Sequence, residues 1–173
     1  MKKIWKWVVA VIILIVIFLL LYNPKENYFN KAELSKDNAI INRTDNKALD
    51  TILKVGLDEL ELSGIVISVR RITIESDVPD LVLKAHISAS RNSPNVYLLE
   101  INKSLRSDII KSVSHELIHL KQLNNKKLKV GMDYLIWKGD TIQNIPNYED
   151  REWEQEAVRE GRVLEAKIRK RLY

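Results

Sequence analysis

His115 and His119 stand four residues apart in the stretch "SVSHELIHLKQ", Ser112 to Gln122, with Glu116 directly after the first histidine. On a helix, residues at i and i+4 share a face, so two imidazoles at this spacing can bind one Zn²⁺. The glutamate between them then projects beside the metal, where it can take a proton from a coordinated water. The helix itself separates two faces. At ~100° per residue, Ile110, Val113, Leu117 and Leu120 gather on one side, and His115 and His119 fall on the other with Ser112 and Gln122. The histidines therefore face a polar cleft or a second layer, not the apolar stripe.

A catalytic zinc needs three protein ligands and an open position. His86 is the only other histidine and lies on an expected strand before the motif, where it reads as an ordinary, partly exposed residue. No histidine follows His119, which excludes an extended H-E-x-x-H-x-x-G-x-x-H site. The third ligand should be a carboxylate from a second helix, and "REWEQEAVREG" offers Glu152, Glu154, Glu156 and Glu160. Trp153, Ala157, Gly161, Leu164, Ile168 and Leu172 recur at spacings of three and four and mark the buried face, with Ala157 and Gly161 small enough for close approach of another helix. From the centre of that stripe Glu154 lies about 50° away, Glu160 about 70°, Glu156 about 110° and Glu152 about 150°. Glu154 is the expected ligand, and Glu152 and Glu156 are expected to point away.

A helix bearing "HELIHLKQ", followed by "WEQEA", resembles the gluzincin type of zinc metallopeptidase, and most of all its small single-domain members whose second helix reads E-x-x-A. Glu154 and Ala157 match that pattern. The intervening "WKGD" and Tyr148 are similar to small zincin-like proteins of bacteria and phages. The likeness covers about Val96 to Gly161. It implies a hydrolase acting on a peptide or protein substrate, with zinc on His115, His119 and Glu154 and with Glu116 as general base and then general acid. Tyr148 and Tyr134 are the candidates for stabilising the oxyanion. In many gluzincins an aspartate four residues after the ligand glutamate orients a ligand histidine. Val158 stands there in this chain, which leaves the orienting partner unassigned, a backbone carbonyl being one candidate.

Around the motif the chain reads as an α+β domain. Thr44 or Asp45 caps a helix through Glu61, with Leu49, Ile52, Leu53, Val55, Leu57 and Leu60 as its apolar stripe and Ser63-Gly64 as its stop. Three strands follow, in "IVISVRRITIE", "LVLKAHIS" and "VYLLEI", separated by the turn signals "SDVPD" and "RNSPN" and expected to form a three-stranded meander. Ser107 or Asp108 opens the metal-binding helix, which runs to about Leu123. "LKVGMDYLIW" and "DTIQNI" read as two short strands or an irregular hairpin around Lys138-Gly139. A charged C-terminal ligand helix spans 151–171. "VYLLEI" is either an internal strand or an edge to which an extended peptide could add as a further strand.

Ahead of this domain, Ile4 to Tyr22 is apolar apart from Lys6, and a helix of about 19 residues spans the ~30 Å core of a bilayer. Trp5, Trp7 and Tyr22 lie at its ends, where amphipathic rings prefer the interface. The run is long for the apolar region of a cleaved signal, and no small-x-small cleavage site follows it. Residues 1–22 are read as a transmembrane anchor, 23–43 as a juxtamembrane tether, and 44–173 as the zincin-like domain. Lys2, Lys3 and Lys6 precede the span without an acid among them, which favours a cytoplasmic N-terminus and an extracytoplasmic domain. Setting those three aside brings the 28 basic residues to 25 against 23 acidic ones. The remainder carries a net +2, too little for a nucleic-acid footprint. The rival to an enzyme is a membrane-anchored interaction protein with a vestigial or structural metal site. Structural zinc sites are mostly cysteine-rich, and the chain has no cysteine.

Overall fold

The computed structural model describes residues 37–73, 84–105, 108–131 and 134–173. The anchor expected at 1–22 and the tether as far as residue 36 lie outside the described residues. The end of that tether reading is corrected. Ala39–Asn42 form strand β1, which pairs in parallel with β2 (Val66–Ile72). Four half-buried residues are too few to show a period of two. Asn38 fixes the strand's start, its side chain donating to the Leu62 carbonyl (2.7 Å) and accepting from the Ile65 N–H (3.0 Å).

Helix α1 (Ala48–Glu59) begins later than a Thr44 or Asp45 cap would place it. The Asn42 side chain takes both the Thr44 N–H and its hydroxyl, and Asn46 Oδ1 accepts from the Ala48 N–H, so this segment folds as side-chain-closed turns. Positive φ at Glu61 (54°) and Gly64 (66°) turns the chain toward β2.

The first sheet has the order β1-β2-β4-β3, with β3 at Ala85–Ala89 and β4 at Val96–Asn102. The expected meander is therefore corrected: β4 runs parallel to β2 and lies between it and β3, and β3 is antiparallel to β4 at the sheet edge. The composition accounts for this order. "VYLLEIN" is nearly continuously buried, as a strand covered on both faces requires, whereas β3 alternates its buried Ala85 and Ile87 with His86 and Ser88. With both its edges paired, β4 cannot accept an added strand. β3, paired on one side only among the described residues, can.

Ile67, Val69, Ile87, Leu99 and Ile101 pack with the buried faces of α1, α2 (Ile109–Asn124) and α3 (Glu152–Leu172) in one core. A second, smaller sheet, β5-β6-β7 (Leu128–Val130, Leu135–Trp137, Asp140–Ile142), is antiparallel throughout. Its last turn is the anticipated Lys138-Gly139 pair, both with positive φ (52° and 101°), as two-residue hairpins need. Leu128, Trp137 and Trp153 form its own cluster, and Trp137 Nε1 donates to Glu152 (2.9 Å). These contacts lock the small sheet onto the first turn of α3. Among the described residues no helix is long and apolar enough to cross a membrane.

Candidate metal centre

Asp108 caps α2, its side chain accepting from the Lys111 N–H (3.3 Å). Ile110, Val113, Leu117 and Leu120 go into the core as anticipated, and Ser114, Ile118 and Gln122 are also fully covered, so the helix is enclosed on nearly all sides. His115 and His119 are turned toward α3, and the closeness of the two helices depends on Gly161. A Cβ built there would lie 3.2 Å from His115 Cα and 3.4 Å from His115 N, tighter than ordinary packing. Ala157, one turn earlier, is wholly buried.

This approach brings three ligand-type atoms together. Glu154 Oε2 is 3.3 Å from His115 Nε2 and 3.3 Å from His119 Nε2, and the two nitrogens are 3.0 Å apart. The imidazoles meet edge to face, at 84°, with both Nε2 atoms beside the Glu154 carboxylate. Ligand atoms about 2.0–2.2 Å from a tetrahedral zinc lie about 3.3–3.6 Å from one another. The two Glu154–histidine separations match that spacing, and the two nitrogens, at 3.0 Å, would move slightly apart around an ion. Two imidazoles and a carboxylate are also the donor set of a catalytic site with one open position. Among the described residues these three form the group that could hold a metal ion.

The remaining carboxylates sort cleanly. Glu160 is half-exposed and pairs with Lys121 (3.5 Å), and Glu152 is at the surface beside Trp137 and Lys138. Glu156 departs from expectation. It does not point away to solvent but is buried against Gln122 and Lys127. Its position on the wheel was reckoned against a single packing line, whereas the first turn of α3 is also contacted by the end of α2 and the segment leading into β5.

The metal group opens into a cleft of about 520 Å³. One wall is β3, with His86 and Ser88, continued by Arg91 just after the strand. The floor is His115, Glu116, His119 and Glu154, and the far wall includes Leu128, Val130, Leu135 and Trp153. His86 is thus an exposed rim residue and is outside the ligand group. Tyr148 lines the cleft and donates to Glu154 Oε2 (2.7 Å), whereas Tyr134 is not among the lining residues.

Burial raises the Glu116 pKa, against the opposing pull of His119, His115 and His86, which makes its carboxylate a stronger base. Glu154 is desolvated too, yet its hydrogen bonds to His115, His119 and Tyr148 hold its pKa well below the usual carboxylate range. Burial opposes a charge on His119, but Glu154, Glu116 and Gln122 together leave its pKa above the ordinary value. Negative charge concentrated between two imidazoles is what a divalent cation would neutralise.

The histidine partner that Val158 cannot supply comes from α2 itself. Val158 is exposed, and Gln122 Oε1 lies 2.9 Å from His119 Nδ1. Residues i and i+3 share a helix face, so the signal was present in "HLKQ", where Gln122 already grouped with the histidines. Beyond the site itself the comparisons are silent: no protein-family model, no curated protein and no solved structure matches the chain.

Proposed function

We propose that the chain is a zinc-dependent metallopeptidase of gluzincin type, anchored in a membrane by residues 1–22. The observation that carries the reading is the convergence of His115, His119 and Glu154 beside the buried Glu116, in a cleft walled by a sheet edge that is unpaired among the described residues. Zinc held by the three ligands would supply a Lewis acid and lower the pKa of a coordinated water toward ~7.

The protein's own groups do the rest. The Asn102 N–H donates to the Lys84 carbonyl and the Ser90 N–H to the Val96 carbonyl, which fixes the hydrogen-bonding phase of β3. Its even-numbered residues bond to β4, so the N–H and C=O groups of Ala85, Ile87 and Ala89 face outward. Unpaired among the described residues, they can hold an extended peptide as an added strand along the cleft. Glu116 takes the proton of the attacking water as the new C–O bond forms. It then delivers that proton to the amide nitrogen as the C–N bond breaks, releasing an acid and an amine. Tyr148, whose pKa is raised by burial and by its bond to Glu154, keeps its proton. Turned away from Glu154 Oε2, which a metal ion would occupy, that one O–H is the cleft's tyrosine donor for a developing oxyanion.

Zinc stoichiometry of the purified full-length protein tests the assignment. About one zinc per chain is expected for the parent and for Glu152→Ala, and none tightly bound for His115→Ala, His119→Ala or Glu154→Ala. A parent that binds no zinc at micromolar free metal would overturn the peptidase reading.

A further inference from the structure

Gln122 is 1 % exposed and sits where the metal helix meets the helix carrying Glu154. Its amide has three partners: Oε1 lies 2.9 Å from His119 Nδ1, and Nε2 lies 3.0 Å from the Trp153 carbonyl and 3.3 Å from Glu156 Oε1. Lys127 closes the chain of contacts, its Nζ at 3.3 and 3.5 Å from the two Glu156 oxygens.

The chemistry of these partners orders the whole array. A backbone carbonyl only accepts, and so does a carboxylate held beside an ammonium group. The Trp153–Glu156 side of Gln122 must therefore be its NH₂ side. Its carbonyl oxygen is then turned toward His119, and His119 can meet it only with a proton on Nδ1. The proton on Nδ1 leaves Nε2 with a free lone pair, and Nε2 is the atom that converges with His115 and Glu154. The opposite orientation would set an NH₂ group toward His119, force the proton onto Nε2, and block the ligand atom.

We infer that Gln122, held by the Trp153 carbonyl and Glu156, is a positioning residue that locks His119 in its Nδ1–H tautomer and ties the metal helix to the first turn of α3. This rests on the proposed metal site for its purpose, but the tautomer itself can be read without any metal. The arrangement replaces the orienting carboxylate that Val158 cannot supply. It also explains why Glu156, which is no ligand, is buried two residues from one.

The test uses full-length protein in detergent, ¹⁵N-labelled at histidine, which has only 3 histidines to assign. Metal-free, at alkaline pH where the rings are neutral, long-range ¹H–¹⁵N correlation spectra report which nitrogen of His119 carries the proton. The parent should show Nδ1–H. Gln122→Met keeps the size of the side chain and removes its hydrogen bonds, so His119 should shift toward Nε2–H, with zinc affinity lowered ~10–100-fold. Glu156→Gln, which keeps size and hydrogen bonding but lets the amide of Gln122 turn over, should fall between the two. An Nδ1–H tautomer and a zinc affinity both unchanged in Gln122→Met would overturn the inference. If that variant fails to fold, an unchanged tautomer and affinity in Glu156→Gln would do so instead. A parent chain that binds no zinc, with Gln122→Met still shifting His119 toward Nε2–H, would sink the metallopeptidase reading and leave the lock standing.

Discussion

Glu116 and Tyr148 differ from the ligands in what their loss should do. Glu116 is buried beside the ligand atoms, and burial holds its pKa up. Glutamine in its place keeps the size and removes the basic oxygen. Glu116→Gln should therefore still bind about one zinc and remain folded, while peptide hydrolysis falls by the ~10²–10⁴-fold that general acid–base catalysis supplies. Hydrolysis as fast as the parent's would show that the activity is not this site's. Tyr148→Phe removes a hydroxyl that donates to Glu154 in the cleft. If that hydroxyl serves a developing oxyanion, kcat should drop by roughly 10²-fold with KM little changed, the lower end of what a lost oxyanion donor costs. A rise in KM alone would assign Tyr148 to substrate binding instead. Zinc content, measured alongside, separates both outcomes from simple ligand loss.

At the level of elements, the site is held by the closeness of α2 and α3, and the weak point is Gly161. A methyl group there meets the backbone of His115, which cannot swing aside as a side chain would. Gly161→Ala should destabilise the domain by about 1–3 kcal/mol through overpacking. It should also weaken zinc binding, because the two ligand helices are pushed apart. Thermal melting and a chelator competition measure the two effects, with the exposed Val163→Ala as the control that should move neither. The importance of Gly161 was legible in the sequence, as were the three helices, because apolar stripes at helical spacing report directly which face is buried. The grouping of His115, His119 and Glu154 was legible for the same reason. The sheet order was not, since alternation reports burial and says nothing of which strand lies next to which. β4 gave a hint by its lack of alternation, and β1 gave none in four half-buried residues. Glu156 was misplaced because one stripe cannot show that the first turn of α3 is packed from two sides.

For the molecule as a whole, the proposed chemistry rests on the domain and the proposed location on the N-terminal sequence, and the two have to be tested separately. Ile4–Tyr22 holds one charged residue, Lys6, near its start, and an apolar run of about 19 residues is enough to cross the hydrocarbon core. The full-length protein should stay with membranes after carbonate or high-salt washing, and removal of residues 1–22 should send the domain to the soluble fraction. A mature chain beginning near residue 23 in a culture supernatant would overturn the anchor and make the protein a secreted one. Orientation follows from a different argument. Three lysines stand before or just within the run with no acid among them, whereas Lys25, Lys31 and Lys36 after it alternate with Glu26, Glu33 and Asp37. The positive-inside rule weighs lysine and arginine more than net charge, so the bias is set by crowding of the first three against the membrane. Protease added to the outer face of the intact cytoplasmic membrane should therefore remove the domain. If it is protected until the cells are opened, the cleft faces the cytoplasm, and the peptides it meets are cytoplasmic ones.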